Sequence, residues 1–132
     1  MSILDFFNPE YKLSHAEQQW NKMWDLNLTG EIPSPYTELM RYQSEVYNGG
    51  HSQYFCNTDN CYDLKAEVEA ILTILPPALA EHVHRFHVAF IAAGNDLNDE
   101  TADLDEVCDE AFDEYEEQIN KILQSYAATI KL

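Results

Sequence analysis

The sequence is short of positive charge. Its 132 residues include seven Lys and Arg against 24 Asp and Glu, a formal net charge of −17 at pH 7 with His neutral. A chain with this balance repels nucleic acid and anionic membranes and attracts cationic surfaces. We therefore expect no direct nucleic-acid partner and no membrane partner, and any binding partner should be a basic protein.

Glycine, proline, cysteine and long apolar runs are also scarce. Four Gly and five Pro exclude a collagen-like or linker-rich chain. The longest apolar run, HVAFIAAG, is far shorter than a bilayer-spanning segment. Three cysteines, an odd number, follow a first segment, MSILDFFNPE, that is too short and too acidic for a secretory leader. These features predict free thiols, a reducing compartment and a cytoplasmic location.

What remains is a helical pattern. Apolar residues make up 45% of the chain and aromatic residues 12%, enough for one core in a single domain spanning residues 1–132. Ser14 and Glu17 have capping-box spacing, and Ser34 before Pro35 is typical of a helix start. Apolar residues then recur at three- and four-residue steps. The sequence predicts an all-α fold, a compact bundle of about five to six helices with a long acidic C-terminal helix. Its later helices are expected at 64–75, 77–94 and 101–132.

The strongest local signal is acidic. Twelve carboxylates lie between Asp96 and Glu117, and no Lys or Arg occurs between Arg85 and Lys121. One interpretation is a solvated helix face. However, like charges at i,i+4 destabilise a helix, and a merely stabilising surface would interleave Lys. The candidate partner-binding residues are Asp96, Asp99, Glu100, Asp103, Glu106, Asp109, Glu110, Asp113, Glu114 and Glu117.

The density of this charge suggests a second interpretation. Twelve charges over about 33 Å of helix is about one per 3 Å, and one DNA strand carries one per about 3.4 Å of axis. Such a face could stand in for a row of phosphates. A two-fold homodimer could supply the second row, although no sequence feature specifies a dimer.

Metal sites and catalysis find less support. An EF-hand loop aligned at Asp96 would have Thr101 in place of its glycine and Val107 in place of its bidentate glutamate. His82, His84 and His87 have no partner at metal-motif spacing. Cys56 and Cys61 lack a second pair, so CNTDNC is expected to be a polar loop. Without a phosphate-binding loop or a nucleophile elbow, we expect no cofactor and no enzyme, the alternative being a small metal-dependent hydrolase that uses these histidines.

The stretch EVYNGGHSQYFCN, residues 45–57, predicts a helix end and a tight turn. Asn and Gly accept the left-handed conformation that stops a helix, and a short segment, residues 51–57, would follow. Tyr54 and Phe55 would send their rings to the core. Asn48 and Asn57 would cap unpaired backbone groups, and Glu45 could pair with such donors.

The same stretch resembles the signature of a bacterial family of domains of unknown function that includes a DNA-mimic protein. The matching positions are Glu45, Asn48, Gly49, Gly50, His51, Gln53, Tyr54, Phe55 and Asn57. His51 stands where the family more often has Phe, and the resemblance extends over about residues 36–94. It implies an all-α body, a motif with an architectural role, and no cofactor or catalysis. For the DNA-mimic member, it implies surface carboxylates that occupy the cationic groove of a DNA-binding protein.

Charge and resemblance lead to one hypothesis. The acidic C-terminal helix is expected to engage a basic DNA-binding protein, such as a transcription factor, and to compete with DNA. The alternative in the same class is an immunity protein that neutralises a basic toxin. A helical module whose acidic face is only solvated is the third possibility.

Overall fold

The computed structural model describes residues 12–132, so the first segment, on which the prediction about a secretory leader depends, lies outside the described residues. Five α-helices make up the described part: α1 (His15–Leu28), α2 (Tyr36–Cys61), α3 (Leu64–Leu72), α4 (Pro77–Ala92) and α5 (Asp99–Ala127). Residues 12–132 contain no β-strand. The predicted all-α fold with a long acidic C-terminal helix is confirmed.

Two helix starts show how capping works here. At α1 the predicted capping box is confirmed, because the Ser14 hydroxyl accepts from the Glu17 N–H at 3.1 Å and Glu17 Oε1 accepts from the Ser14 N–H at 3.2 Å. The prediction of Ser34 as a cap was wrong. Pro35 occupies the cap position of α2, and no side chain caps that helix.

The α5 start was missed. Asn98 and Thr101 form a reciprocal pair, with the Asn98 side chain accepting from the Thr101 N–H at 3.0 Å and the Thr101 hydroxyl accepting from the Asn98 N–H at 2.7 Å. The helix therefore begins at Asp99, two residues earlier than predicted, and it ends at Ala127. The third helix is also shorter than predicted, since Leu75 is buried in the turn after α3. Apolar spacing alone cannot separate a helical residue from a buried turn residue.

The first helical stretch of α2 ends at the Asn48-Gly49-Gly50 triplet, as predicted, but a second stretch follows with no loop between them. Inside α2 only Gly50 leaves helical geometry, with φ 78° and ψ −175°, and the helix resumes at once and continues to Cys61. The expected short segment at residues 51–57 and the expected polar loop at CNTDNC were both wrong. The kink requires a glycine, because residues with a side chain rarely adopt the backbone conformation found at Gly50.

The core lies between α5 and the helices that pack on one side of it, α1, α2 and α4, and α3 packs between α2 and α4. Its largest members are aromatic. Tyr54 and Phe55 are fully buried, which confirms the prediction that their rings go to the core. The Phe55 ring stacks on Phe86, with 4.5 Å between ring centroids. Burial of these rings fixes the helix after the kink against α4.

The C-terminal end of α5 is held by α1 and the start of α2. Gln19 Nε2 donates to the carbonyls of Ala128 and Ile130 at 3.1 and 3.0 Å. The Tyr36 and Tyr126 rings stack with centroids 4.2 Å apart. Contacts along its length thus leave α5 with one packed side and one open side. Within residues 12–132, no helix is both long enough and apolar enough to cross a bilayer.

Candidate partner-binding surface

The open side of α5 carries a row of carboxylates. Seven exposed acids fall within an arc of roughly 100° at 3.6 residues per turn, and we call them the acidic face. They are Asp99, Asp103, Glu106, Glu110, Asp113, Glu114 and Glu117. The buried residues Thr101, Cys108 and Ile119 lie on the opposite side of the helix. The acidic face therefore points away from the core along most of the length of α5.

The other three candidate residues lie elsewhere. Asp96 is exposed in the turn before α5, and Glu100 is exposed at the flank of the arc. Asp109 is half-buried on the side that faces α2. The structure thus brings seven of the ten predicted residues onto one face and sets Asp109 apart from them.

Few cations balance the acidic face. Among the described residues, its one ion pair within 4.0 Å joins Lys121 Nζ to Glu117 Oε1 at 3.6 Å. By contrast, three acids outside α5 have a basic neighbour within 4.0 Å, the closest being Glu67, whose Oε1 lies 2.6 Å from Arg41 Nη1. Similar pairs join Arg85 to Glu81 at 2.7 Å and Lys65 to Glu69 at 4.0 Å. Like charges stacked without cations cost helix stability, so this face is unfavourable for the isolated fold.

Asp105 and Asp109 project from the other edge of α5 and bind the kink in α2. Asp109 Oδ1 accepts from the His51 backbone N–H at 3.0 Å and contacts His51 Nδ1 at 2.6 Å. Asp105 Oδ1 accepts from the Ser52 N–H at 2.8 Å. Since the kink leaves the N–H groups of the resumed helix without intrahelical acceptors, the two carboxylates cap that helix from a neighbouring one. We call residues 48–52 together with these two carboxylates the anchored corner.

A buried chain of polar groups completes the anchored corner. His51 is fully buried, and its Nε2 lies 2.7 Å from the hydroxyl of Tyr42, which is also fully buried. Burial raises the pKa of Tyr42 well above its usual value. The phenol therefore stays protonated and can donate to Nε2, an arrangement in which Nδ1 of His51 donates to Asp109.

Asp109 is ionised in this arrangement. Its partial burial would raise the pKa of the carboxyl, but the hydrogen bonds from the His51 side chain and backbone outweigh burial and lower the pKa. The charge of Asp109 is thus committed to the fold. Its position separates it from the acidic face, and its predicted role as a contact residue stays a prediction.

The remaining motif side chains contact one another across the kink. Glu45 Oε2 accepts from Gln53 Nε2 and from Asn57 Nδ2, both at 3.0 Å. Asn57 therefore pairs with a side chain, whereas the sequence predicted a backbone cap. A Cβ at Gly49 would collide with Oε1 of Gln53, so the small residue leaves room for the Gln53–Glu45 contact. Asn48 stays exposed.

A family model described as DMP19-like protein matches residues 36–130. The chain belongs to the DMP19-like family. The match takes in the kinked helix and all of α5, beyond the residues 36–94 over which the motif resemblance extends. No similar protein was found among curated proteins or among solved structures.

The structure also places the residues of the two alternative metal sites, the three histidines of α4 and the EF-hand alignment at Asp96. His84 is exposed and His82 half-buried, while His87 is buried beside Phe55 with 5.9 Å between ring centroids. Burial, then the neighbouring His84, lowers the pKa of His87. The residues proposed for an EF-hand loop are helical from Asp99 onward, and Thr101 belongs to the cap of α5.

Sequence reasoning missed one cluster. Within residues 12–132, His51, Asp105 and Asp109 form the one group of three potential metal ligands with donor atoms within 4.8 Å of one another. Their atoms already serve as caps of the anchored corner. Two signals could have revealed it: the i,i+4 spacing of Asp105 and Asp109 on an edge apart from the acidic face, and a histidine where the motif favours Phe.

Proposed function

We propose that this protein is a non-enzymatic binding protein whose acidic face docks on the cationic DNA-binding surface of a basic protein, such as a transcription factor. Carboxylates take the places of phosphates in this complex, so the protein and DNA compete for one surface. Charge complementarity supplies the attraction, and affinity is expected to fall steeply with salt.

One observation carries the proposal. The acidic face and Glu100 place eight exposed carboxylates between Asp99 and Glu117, and at 1.5 Å per residue they span about 27 Å. This is roughly one charge per 3 to 4 Å, close to the spacing of about 3.4 Å along one DNA strand. A lone lysine pairs with this row in the described chain, so nearly all of its charge is available to a partner.

Two further features support the proposal. Membership in the DMP19-like family agrees with the resemblance to a family that contains a DNA-mimic protein. The three cysteines are free thiols, which suits a reducing cytoplasm where DNA-binding proteins act.

The same proposal assigns no catalysis to the Tyr42–His51–Asp109 chain. Its order of groups is similar to that of a catalytic relay, in which a carboxylate orients a histidine that polarises a hydroxyl. Both Tyr42 and His51 are fully buried, however, so no substrate reaches the hydroxyl. The chain of hydrogen bonds instead supports the kink.

A pull-down from native lysate with elution by a salt gradient tests the proposal. The wild-type protein is compared with an acidic-face variant that combines Asp103→Asn, Glu106→Gln, Glu110→Gln and Asp113→Asn. We expect the wild type to retain a basic DNA-binding protein that elutes as salt rises, and the variant to lose it.

A matched control removes the same charge from other exposed positions. It combines Asp25→Asn, Glu31→Gln, Glu69→Gln and Glu81→Gln, all outside α5. This control is expected to retain the partner because its acidic face is intact, although its net charge equals that of the acidic-face variant. Retention that is insensitive to salt, or equal losses in both variants, would contradict docking through the acidic face.

A further inference from the structure

Tyr47 is an aromatic residue with no role in the fold as described so far. It lies on α2, one residue before the Asn-Gly-Gly triplet, and 74% of its surface is exposed. Two open pockets, of about 350 and 300 Å³, flank it, and Tyr47 and Asn48 line both. An exposed tyrosine that lines two concave surfaces is available to a ligand bound in either of them.

Carboxylates complete both pockets. Glu116 lines the first, together with Trp24, and Asp113 lines the second, next to Asp109, whose Oδ1 is already bound to His51. Among the described residues that line them there is no Lys, Arg or His. Asp113 also belongs to the acidic face, so the second pocket is continuous with the surface proposed to bind a basic partner.

An aromatic ring beside carboxylates is suited to a guanidinium group. The planar cation stacks on the ring face while its N–H groups donate to carboxylate oxygens in a fixed fork. A lysine ammonium is a strongly hydrated point charge, so it gains less from the same surroundings.

The molecule contains this arrangement once already. Arg41 Cζ lies 3.9 Å from the centroid of the Tyr62 ring. Nη1 of the same arginine contacts the two carboxylate oxygens of Glu67 at 2.6 and 2.7 Å. The Tyr47 pockets offer the same two chemical groups, a tyrosine face and a carboxylate, without the arginine.

We propose that Tyr47 and its two pockets receive arginine side chains of the basic partner. This inference rests on the proposed function, because it gives the partner of the acidic face a specific anchor. The acidic face attracts any cationic surface, and the Tyr47 site makes the complex selective for arginine over lysine.

Two peptides of equal charge, nona-arginine and nona-lysine, test the inference by titration calorimetry at fixed ionic strength. We expect the wild type to bind both peptides, with nona-arginine preferred by about tenfold, the effect of one partly desolvated cation–π contact. Tyr47→Leu should remove the preference while leaving nona-lysine binding unchanged. Tyr47→Phe keeps the ring and should keep the preference.

Tyr62→Leu is the matched control, since it removes another exposed tyrosine that lies outside both pockets, and it should leave the preference unchanged. Equal affinity for both peptides, or a preference that survives Tyr47→Leu, would overturn the arginine site and leave the proposed function standing. If neither peptide binds, the proposed function fails as well.

Discussion

Two sets of carboxylates on α5 have opposite surroundings. Asp105 and Asp109 accept hydrogen bonds from His51 and Ser52 and hold the kink of α2. The acidic face, on the adjoining open side, has one lysine partner among the described residues. Residues of the same type on the same helix therefore contribute to folding in one case and oppose it in the other. The difference lies in the angular position of each residue around the helix axis, because that position determines which groups surround its carboxylate.

The largest expected effect comes from removing the anchoring carboxylate. Asp109→Ala leaves the backbone and ring N–H groups of buried His51 without their acceptor. We expect a loss of about 3 kcal/mol in the free energy of unfolding, the cost of buried donors left unsatisfied. Chemical denaturation measures it. Asp113→Ala, one turn along on the acidic face, is the matched control and should change stability by less than about 0.5 kcal/mol.

A smaller loss is expected at the glycine beneath that carboxylate. Gly50 has φ 78° and ψ −175°, and a Cβ there would lie 2.7 Å from Oδ2 of Asp109. Gly50→Ala should therefore cost about 2 kcal/mol through backbone strain and collision. Gly30→Ala is the control, because φ is also positive, 74°, but the surrounding space is open. Equal losses at the two glycines would show that the contact with Asp109 contributes nothing.

The acidic face should respond in the opposite direction. Neutralising Asp103, Glu106, Glu110 and Asp113 removes several like-charge contacts at i,i+3 and i,i+4. We expect the free energy of unfolding to rise by about 1 kcal/mol at low salt and the gain to shrink at high salt, because salt screens the repulsion. Thermal unfolding at two ionic strengths measures it. A destabilised variant would mean that these carboxylates support the fold.

The smallest expected effect is a difference between the wild type and Asp109→Asn in how stability changes with pH. The pKa of Asp109 is lower in the folded chain than in the unfolded chain, because His51 donates to the carboxylate. Its contribution is therefore complete above the unfolded value, about 4, and is lost as pH falls through the folded value. Asp109→Asn should lack this component, so its stability should fall less steeply than that of the wild type below pH 4. Parallel curves would rule out the contribution.

Local patterns predicted much of the fold. The capping box at Ser14, the start of α4 at Pro77 and the apolar line of α5 all follow from contacts between residues a few positions apart. The helix after Gly50 could not be predicted in this way. Its first N–H groups are satisfied by Asp105 and Asp109, more than fifty residues away in sequence, and a glycine pair looks like a helix end when that partner is unknown.

The candidate surface likewise has features that the sequence could predict and features that it could not. The spacing of acids was enough to stack six of the seven on one face, because that placement depends on one straight helix. The six are Asp99, Asp103, Glu106, Glu110, Asp113 and Glu117, and the structure adds Glu114. Sequence could not tell that Asp109 faces α2, since the direction depends on how α5 packs. Nor could it show that Tyr47 is exposed, because its neighbours Tyr42 and Val46 in the same pattern are buried.

The most direct test of the central claim is competition for the captured basic protein between its DNA and this protein, followed by fluorescence anisotropy of labelled DNA. Wild-type protein should displace the DNA, less effectively as salt rises. The acidic-face variant should fail, and the control with four neutralised acids elsewhere should displace DNA normally. A ternary complex of DNA, basic protein and this protein, or full displacement by the acidic-face variant, would contradict the claim.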